Sequence, residues 1–127
     1  AASGVTLAIE NHGRFSSRTL AAIIEQIGSS FVGVCLDTVN SFGALETPEQ
    51  VVEILGPHTV NLHLKYFTIS REPHAMGFRI TGSPAGQGLL NIPYVLERVR
   101  SFQRDMNAIL ELCPAPEPSA GDTEAKE

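Results

Sequence analysis

Four runs along the chain alternate large aliphatic residues with small or polar ones. They extend from Val5 to Glu10, from Phe31 to Asp37, from Thr59 to Lys65 and from Met106 to Leu112. A period of two residues is that of a β-strand whose two faces meet different surroundings. The runs share one phase, because in each the second face is mostly small or polar and carries an acid, a histidine or a lysine near its end. We therefore predict four strands, each with an aliphatic face and a polar face.

Three segments between these strands have the period of amphipathic helices. The first is capped by Ser16 or Ser17 and ends at Gly28, and its predicted core stripe consists of Leu20, Ile23, Ile24 and Ile27. The second begins at Thr47-Pro48-Glu49-Gln50, where an N-cap threonine, a proline and a capping-box glutamine coincide, and it ends at Gly56. The third begins at Asn91-Ile92-Pro93, and its predicted inward residues are Val95, Leu96, Val99 and Phe102.

The connection over residues 66–90 is too long for a simple turn, and its glycines and prolines indicate a structured loop. We predict a short hairpin around Phe78-Arg79-Ile80-Thr81. From Pro114 onward the composition lacks the apolar residues that would offset the entropy of ordering. The predicted domain organisation is therefore one domain over residues 1–113 and a disordered acidic tail over residues 114–127.

The alternation of strands and helices predicts the fold class. Strands that alternate with helices form a parallel sheet with crossover connections, so the class is α/β. An open sheet with helices on both faces would need strands that are apolar throughout. The split between an aliphatic and a polar face instead favours a (β/α) barrel of the TIM type, whose polar face lines the interior. About four βα units are present, which is half of a barrel.

Charge and composition exclude some classes of partner. The net charge is −5 and the pI is near 5.3, and no block of basic residues is present. We therefore expect no nucleic acid and no membrane as partner, and no apolar run approaches the roughly 20 residues of a membrane span. The expected partner is a small molecule and the expected location is the cytoplasm. Cys35 and Cys113 fall in predicted strands and are expected to be reduced.

The polar ends of the four strands define a candidate site. At the rim of a barrel these ends meet, which would bring together Glu10, Asp37, His63 and Glu111. Three carboxylates in a desolvated site repel one another unless a cation balances them. We therefore predict a divalent metal site. Its oxygen-rich ligand set favours Mn²⁺ or Mg²⁺, with Zn²⁺ or Co²⁺ as alternatives.

Several ordered motifs extend over nearly the whole chain ahead of the predicted tail. They are Leu7-Ala8-Ile9-Glu10-Asn11-His12, Leu36-Asp37-Thr38-Val39-Asn40, Asn61-Leu62-His63-Leu64-Lys65, Gly82-Ser83-Pro84-Ala85-Gly86-Gln87-Gly88 and Ile109-Leu110-Glu111. Together they resemble the second half of the sugar phosphate isomerase/epimerase family, the xylose isomerase-like TIM barrels. The resemblance implies that the chain is equivalent to strands five to eight of the barrel, and that the four strand-end residues match the family's metal ligands.

The resemblance also implies a function. The metal would chelate a carbonyl and the neighbouring hydroxyl of a sugar or polyol and stabilise the enediolate formed when a proton leaves. Glu10 and Glu111, as base and acid on opposite sides of the substrate, would remove and return that proton, which describes an isomerase or epimerase. The candidates for substrate binding are His12, Asn40, Lys65 and Arg71. The chain departs from the family in Tyr66, where the usual HxKD motif ends in an acid, and in Asn40, where epimerases often have a histidine.

Several alternatives remain open at this point. β-Elimination of water begins with the same step, so a dehydratase of the inosose or dehydroshikimate type is one alternative, and a non-catalytic metal- or sugar-binding fragment is another. An endonuclease IV-like protein is less favoured, because neither its additional His and Asp ligands nor a basic DNA-binding face is visible. Half a barrel also exposes two strand edges. The expected protein partner is a missing N-terminal half-barrel or a second copy of the chain.

Overall fold

The computed structural model describes residues 3–74, 76–102 and 105–112. Both the predicted tail and Cys113 lie outside these residues. In chain order the described elements are β1 (Leu7–Glu10), α1 (Ser17–Ile27), β2 (Val32–Asp37), a 3-10 helix (Asn40–Ala44), α2 (Pro48–Leu55), a short 3-10 turn (Gly56–His58), β3 (Thr59–Leu64), β4 (Phe67–Arg71), β5 (Phe78–Gly82), α3 (Ile92–Phe102) and β6 (Asn107–Leu110).

Four strands form one parallel sheet in the order β1-β2-β3-β6. α1 connects β1 to β2, α2 connects β2 to β3, and α3 precedes β6. The predicted parallel strands with crossover helices are therefore confirmed. The register pairs Glu10 with Cys35 and Asp37 with His63, so the C-terminal ends of neighbouring strands reach the same edge of the sheet.

One face of the sheet packs against the helices and forms the core. Val34, Leu36 and Leu62 on the two middle strands are completely buried. The helices cover them with aliphatic side chains, among them Val51, Val52, Leu55, Val95 and Val99. Because burial of one such side chain contributes about 1.5–3 kcal/mol, this layer holds β2 and β3 in place.

The helix ends follow the predicted capping residues. Ser16 caps α1 and its side chain accepts a hydrogen bond from the Thr19 amide, while Gly28 ends the helix with a φ of 58°. Thr47 caps α2 and forms the complete capping box with Gln50. These ends could be predicted because capping depends on a few residues close together in the chain.

The predicted burial of three apolar residues is wrong. Ile23 and Ile27 of α1 are 37% and 47% exposed, and Phe102 of α3 is 36% exposed. α1 contacts α2 and β2, whereas β1 is an edge strand that leaves the outer flank of α1 uncovered within the described residues. β1 is also shorter than the predicted run, because the ladder with β2 begins only at Leu7.

The long connection after β3 contains an antiparallel hairpin of β4 and β5. A hairpin is therefore present, but the predicted residues around Phe78 form only its second strand, and its first strand begins further upstream at Phe67. Phe67 at the base of the hairpin is 5% exposed, and its ring makes an edge-to-face contact with the ring of Phe42 at 4.8 Å. This contact attaches the hairpin to the 3-10 helix that follows β2. None of the helices in the described part of the chain is long and apolar enough to cross a membrane.

Candidate metal centre

Four side chains with potential metal ligands meet at the C-terminal edge of the parallel sheet. Glu10 ends β1, Asp37 ends β2, His63 lies on β3, and Glu111 directly follows β6. One ligand atom from each lies within 4.8 Å of the others. The structure thus brings together the four residues that were predicted from their positions at the strand ends. Their role as metal ligands, and the catalytic role of Glu10 and Glu111, stay predictions.

Asn11 joins the ends of β1 and β2. Its side chain is buried, and its Oδ1 accepts a hydrogen bond from the Asp37 amide at 2.6 Å. Its Nδ2 donates to the Asp37 carbonyl and to Ser41 Oγ, both at 2.9 Å. Both polar ends of the amide are therefore satisfied inside the protein. The backbone that carries the Asp37 carboxylate is held against β1 as a result.

Thr38 makes the corresponding connection between β2 and β3. Its hydroxyl accepts a hydrogen bond from the Lys65 amide at 3.0 Å and lies 3.3 Å from the Lys65 carbonyl. Its own amide donates to the His63 carbonyl at 3.2 Å. Asn11 and Thr38 were not among the predicted site residues. The signal for them was their position, since each directly follows a strand-terminal acid.

Asp37 is the most enclosed member of the cluster, with no exposed surface. Its Oδ1 accepts hydrogen bonds from the amides of Val39 at 2.8 Å and Asn40 at 3.0 Å. Its Oδ2 lies 2.7 Å from Lys65 Nζ, although the angles there are not those of a hydrogen bond. One oxygen of Asp37 is thus held by the backbone, and the other forms an ion pair with Lys65.

Lys65 is a buried lysine among carboxylates. Its Nζ is also 3.3 Å from Glu111 Oε1. Burial by itself lowers the pKa of Lys65, but the close ion pairs with Asp37 and Glu111 outweigh burial and raise the pKa above its ordinary value. The ammonium form is therefore retained at neutral pH.

Three buried polar atoms of the cluster have no hydrogen-bond partner among the described residues. Among the buried side-chain atoms of the described residues, those without a hydrogen-bond partner include Asp37 Oδ2, His63 Nδ1 and Glu111 Oε2. His63 Nδ1 lies 3.0 Å from Glu111 Oε2 and 3.8 Å from Glu10 Oε1. Such atoms are rare in folded proteins and need an explanation, of which an ion is one. The residues therefore fit a metal.

The charges of the cluster agree with a divalent ion. Glu10, Asp37 and Glu111 supply three carboxylates, and the Lys65 ammonium balances one of them. With a neutral His63 the cluster has an excess of two negative charges. Carboxylate oxygens with one imidazole suit Mg²⁺ or Mn²⁺, and a partly open set leaves positions for substrate oxygens.

Asn40 lies beside the cluster and contacts several of its members. Its Nδ2 donates a hydrogen bond to Glu10 Oε1 at 2.8 Å, and its Oδ1 accepts one from Lys65 Nζ at 3.4 Å. The predicted substrate-binding residues Asn40 and Lys65 are thus both in contact with the candidate ligands.

The other two predicted substrate-binding residues lie further out. His12 is exposed in the loop two residues after Glu10. Arg71 is exposed at the far end of β4, as the last residue of the hairpin strand that begins at Phe67.

Beneath the cluster, Cys35 is a free and buried thiol, and the Asn61 side chain donates a hydrogen bond to its sulfur at 3.2 Å. Burial raises the pKa of the Cys35 thiol, so it is a neutral filler of the interior.

Comparison with known proteins adds the family context. The model of the family described as xylose isomerase-like TIM barrel matches residues 1–126. The curated 3-oxo-isoapionate decarboxylase of Pectobacterium atrosepticum is 34% identical over 107 residues, which cover 84% of this chain and 39% of that protein. The uncharacterized protein YihM of Escherichia coli is 29% identical over 86 residues, covering 68% of this chain and 26% of that protein.

Two solved structures share the fold. A xylose isomerase-like TIM barrel protein of Mycobacterium smegmatis in complex with magnesium has a TM-score of 0.74 at 14% identity, over 91% of this chain and 40% of that one. A xylose isomerase domain protein of Planctomyces limnophilus has a TM-score of 0.68 at 14% identity, over 86% of this chain and 39% of that one. The chain therefore spans two fifths or less of each of these proteins.

Proposed function

Because the chain belongs to the xylose isomerase-like TIM barrel family, we propose that its four-residue cluster binds a divalent metal ion and acts on a sugar or a sugar-derived carbonyl compound. The observation that carries this proposal is the convergence of one ligand atom from each of the four residues within 4.8 Å, with Asp37 Oδ2, His63 Nδ1 and Glu111 Oε2 buried and without a hydrogen-bond partner. Mg²⁺ or Mn²⁺ is the proposed ion.

A divalent ion at this site would supply Lewis-acid stabilisation for negative charge that develops on a substrate carbonyl oxygen. Glu10, Asp37, His63 and Glu111 are the residues that would hold it. Lys65 keeps its ammonium between Asp37 and Glu111, so it limits the repulsion among the carboxylates and can meet a substrate oxygen. His12, beside Glu10 in the chain, and Arg71 on the hairpin remain proposed substrate contacts.

Decarboxylation of a 3-oxo sugar acid is the first candidate reaction. One relative, which is 34% identical over 84% of this chain, is named a 3-oxo-isoapionate decarboxylase. In such a reaction the bond between the carboxylate carbon and its neighbour breaks, CO₂ leaves, and the electron pair remains on the carbon next to the ketone. A proton must then reach that carbon. That proton comes from solvent water, and Glu10 and Glu111, which both lie near His63, are the groups we propose for relaying it.

Isomerisation or epimerisation is the second candidate reaction. Glu10 ends one edge strand and Glu111 follows the other, and both carboxylates lie near His63 Nδ1, at 3.8 and 3.0 Å, so one could remove a substrate proton and the other return it. No carbon–carbon bond breaks in this case, so the two candidates differ in their products. A dehydratase, which begins with the same proton removal, and a fragment that binds metal or sugar without catalysis are the remaining alternatives.

The two reactions can be separated with the chain loaded with Mn²⁺. Release of CO₂ from a 3-oxo sugar acid would support the decarboxylase, whereas exchange of solvent deuterium into ketoses without CO₂ release would support the isomerase or epimerase. Both activities should disappear in Glu111→Gln. Binding of Mn²⁺ with neither reaction would favour the non-catalytic fragment, and a chain that binds no divalent ion would refute the proposed site.

A further inference from the structure

We propose that Asn40 is a positioning residue that orients the Glu10 carboxylate toward the metal, and this inference rests on the proposed metal site. Glu10 and Glu111 are the two more exposed of the four candidate ligands, and the ion-pair distance from Glu10 to His63 Nδ1, 3.8 Å, is longer than the 3.0 Å from Glu111. Glu10 ends the edge strand β1, and its side chain is 40% exposed. Asp37, by contrast, is buried and held by two backbone amides. A long, partly exposed side chain needs a bonding partner to stay in one conformation, because ordering it costs entropy.

Asn40 supplies that partner. Its Nδ2 donates to Glu10 Oε1 at 2.8 Å, whereas the next polar neighbour of that oxygen, His63 Nδ1, is 3.8 Å away. Asn40 itself is held by its backbone, since its amide donates to Asp37 Oδ1 at 3.0 Å. Asn40 therefore contacts two candidate ligands: its side chain orients Glu10, and its main chain is hydrogen-bonded to Asp37.

The two ends of the Asn40 side chain match their surroundings in one orientation. The amide nitrogen faces the Glu10 carboxylate, and the amide oxygen faces the Lys65 ammonium at 3.4 Å. If the amide were turned over, oxygen would face a carboxylate and nitrogen would face an ammonium, and both contacts would be repulsive. The side chain therefore orients Glu10 and separates it from Lys65. Because a carboxamide is neither an acid nor a base at neutral pH, we assign Asn40 an effect through Glu10 and no part in proton transfer.

Binding of Mn²⁺ to the full chain, followed by the electron paramagnetic resonance signal of the free ion, tests this inference. Loss of a residue that orients a metal ligand typically weakens metal binding about 10- to 100-fold, so we expect a loss of that size in Asn40→Ala. Asn61→Ala is the matched control. Asn61 is a partly buried asparagine of the same interior, but its amide contacts Cys35, so its replacement should change the Mn²⁺ affinity less than about 3-fold.

A double-mutant cycle identifies the route of the effect. If Asn40 acts through Glu10, then Asn40→Ala should add less than about 3-fold in a Glu10→Gln background. A full additional loss in that background would overturn the assignment to Glu10. If Asn40→Ala does not fold, Asn40→Ser provides a second variant. We expect it to lose Mn²⁺ affinity as well. If the wild-type chain binds Mn²⁺ and the Asn40 variants bind it equally tightly, this inference alone is refuted. If the wild-type chain does not bind Mn²⁺, the proposed function is refuted.

Discussion

The Asp37 carboxylate is completely buried, and its Oδ2 lies 2.7 Å from the ammonium nitrogen of Lys65, which is 7% exposed. A buried ion pair is expensive to form, but loss of one partner is more expensive, because it leaves the other charge without compensation. The pair therefore makes the stability of the metal-free chain depend on Lys65, and it does so inside the candidate metal centre.

We expect Lys65→Met to destabilise the metal-free chain by about 3–5 kcal/mol, because Asp37 and Glu111 lose the cation between them. The same variant should gain more stability from added Mn²⁺ than the wild type does, since a divalent ion would replace the lost charge. Urea unfolding with and without Mn²⁺ measures both effects. Arg79→Met removes one partner of the exposed Arg79–Glu72 pair and should cost no more than about 1 kcal/mol. Equal losses in the two variants would contradict the buried-pair argument.

Asn11→Ala should destabilise the chain by about 2–3 kcal/mol. The change removes both partners of the Asp37 backbone and leaves these buried groups, together with Ser41 Oγ, without their hydrogen bonds. Asn91→Ala is the control, because Asn91 Oδ1 accepts from the exposed Tyr94 amide at the start of α3 and its loss should cost about 1 kcal/mol. Chemical unfolding of both variants measures the difference. An Asn11 variant as stable as the Asn91 variant would show that the connection between β1 and β2 does not need the amide.

The features that could be predicted from the sequence are those that depend on neighbouring residues. The period of two identified the four strands, and Thr47 and Gln50 marked the start of α2, because both signals lie within a few positions. The convergence of Glu10 and Asp37 could be predicted because parallel strands end at one edge of a sheet.

Other features depend on partners distant in the chain. The side-chain hydrogen bonds of Asn11 and Asn40 span 25 to 30 positions, and no local pattern reveals them. The Thr38–Lys65 contact follows a register shift between β2 and β3, where Val34 pairs with Thr59 and Cys35 pairs with Asn61, and the alternation of residues does not show this shift. The exposure of Ile23 could not be predicted either, since periodicity identifies an apolar face but not whether another element covers it.

The Glu53 carboxylate joins α2 to α3 and gives a prediction about pH. Its oxygens accept hydrogen bonds from Arg98 Nη2 at 2.6 Å and from the Tyr94 hydroxyl at 2.7 Å. The hydrogen bonds of Arg98, and then of Tyr94, lower the pKa of Glu53 from 4.5 to about 2. A carboxyl whose pKa is lower in the folded state stabilises the fold above its unfolded pKa, and this contribution is lost as the pH falls toward the folded value.

We therefore expect Glu53→Gln to be less stable than the wild type at pH 7, and the difference to shrink as the pH falls from about 4.5 toward 2. Thermal unfolding of both proteins across this range measures it. Glu97→Gln, a change at an exposed glutamate of α3, serves as the control and should show a smaller difference at pH 7. A difference between Glu53→Gln and wild type that grows on acidification would have the wrong sign and would contradict the lowered pKa.

Metal binding itself should raise the stability of the folded chain. A ligand that binds only the folded state stabilises it by about 2.7 kcal/mol when its free concentration is 100 times its Kd. We expect Mn²⁺ to produce a shift of this kind in urea unfolding and a chelator to reverse it, because the unpartnered atoms of Asp37, His63 and Glu111 would gain a partner. His63→Ala and Glu111→Gln should lose most of the shift. His58→Ala should keep it, since His58 pairs with Glu25 away from the cluster. A shift that survives in His63→Ala but disappears in His58→Ala would place the metal elsewhere on the chain.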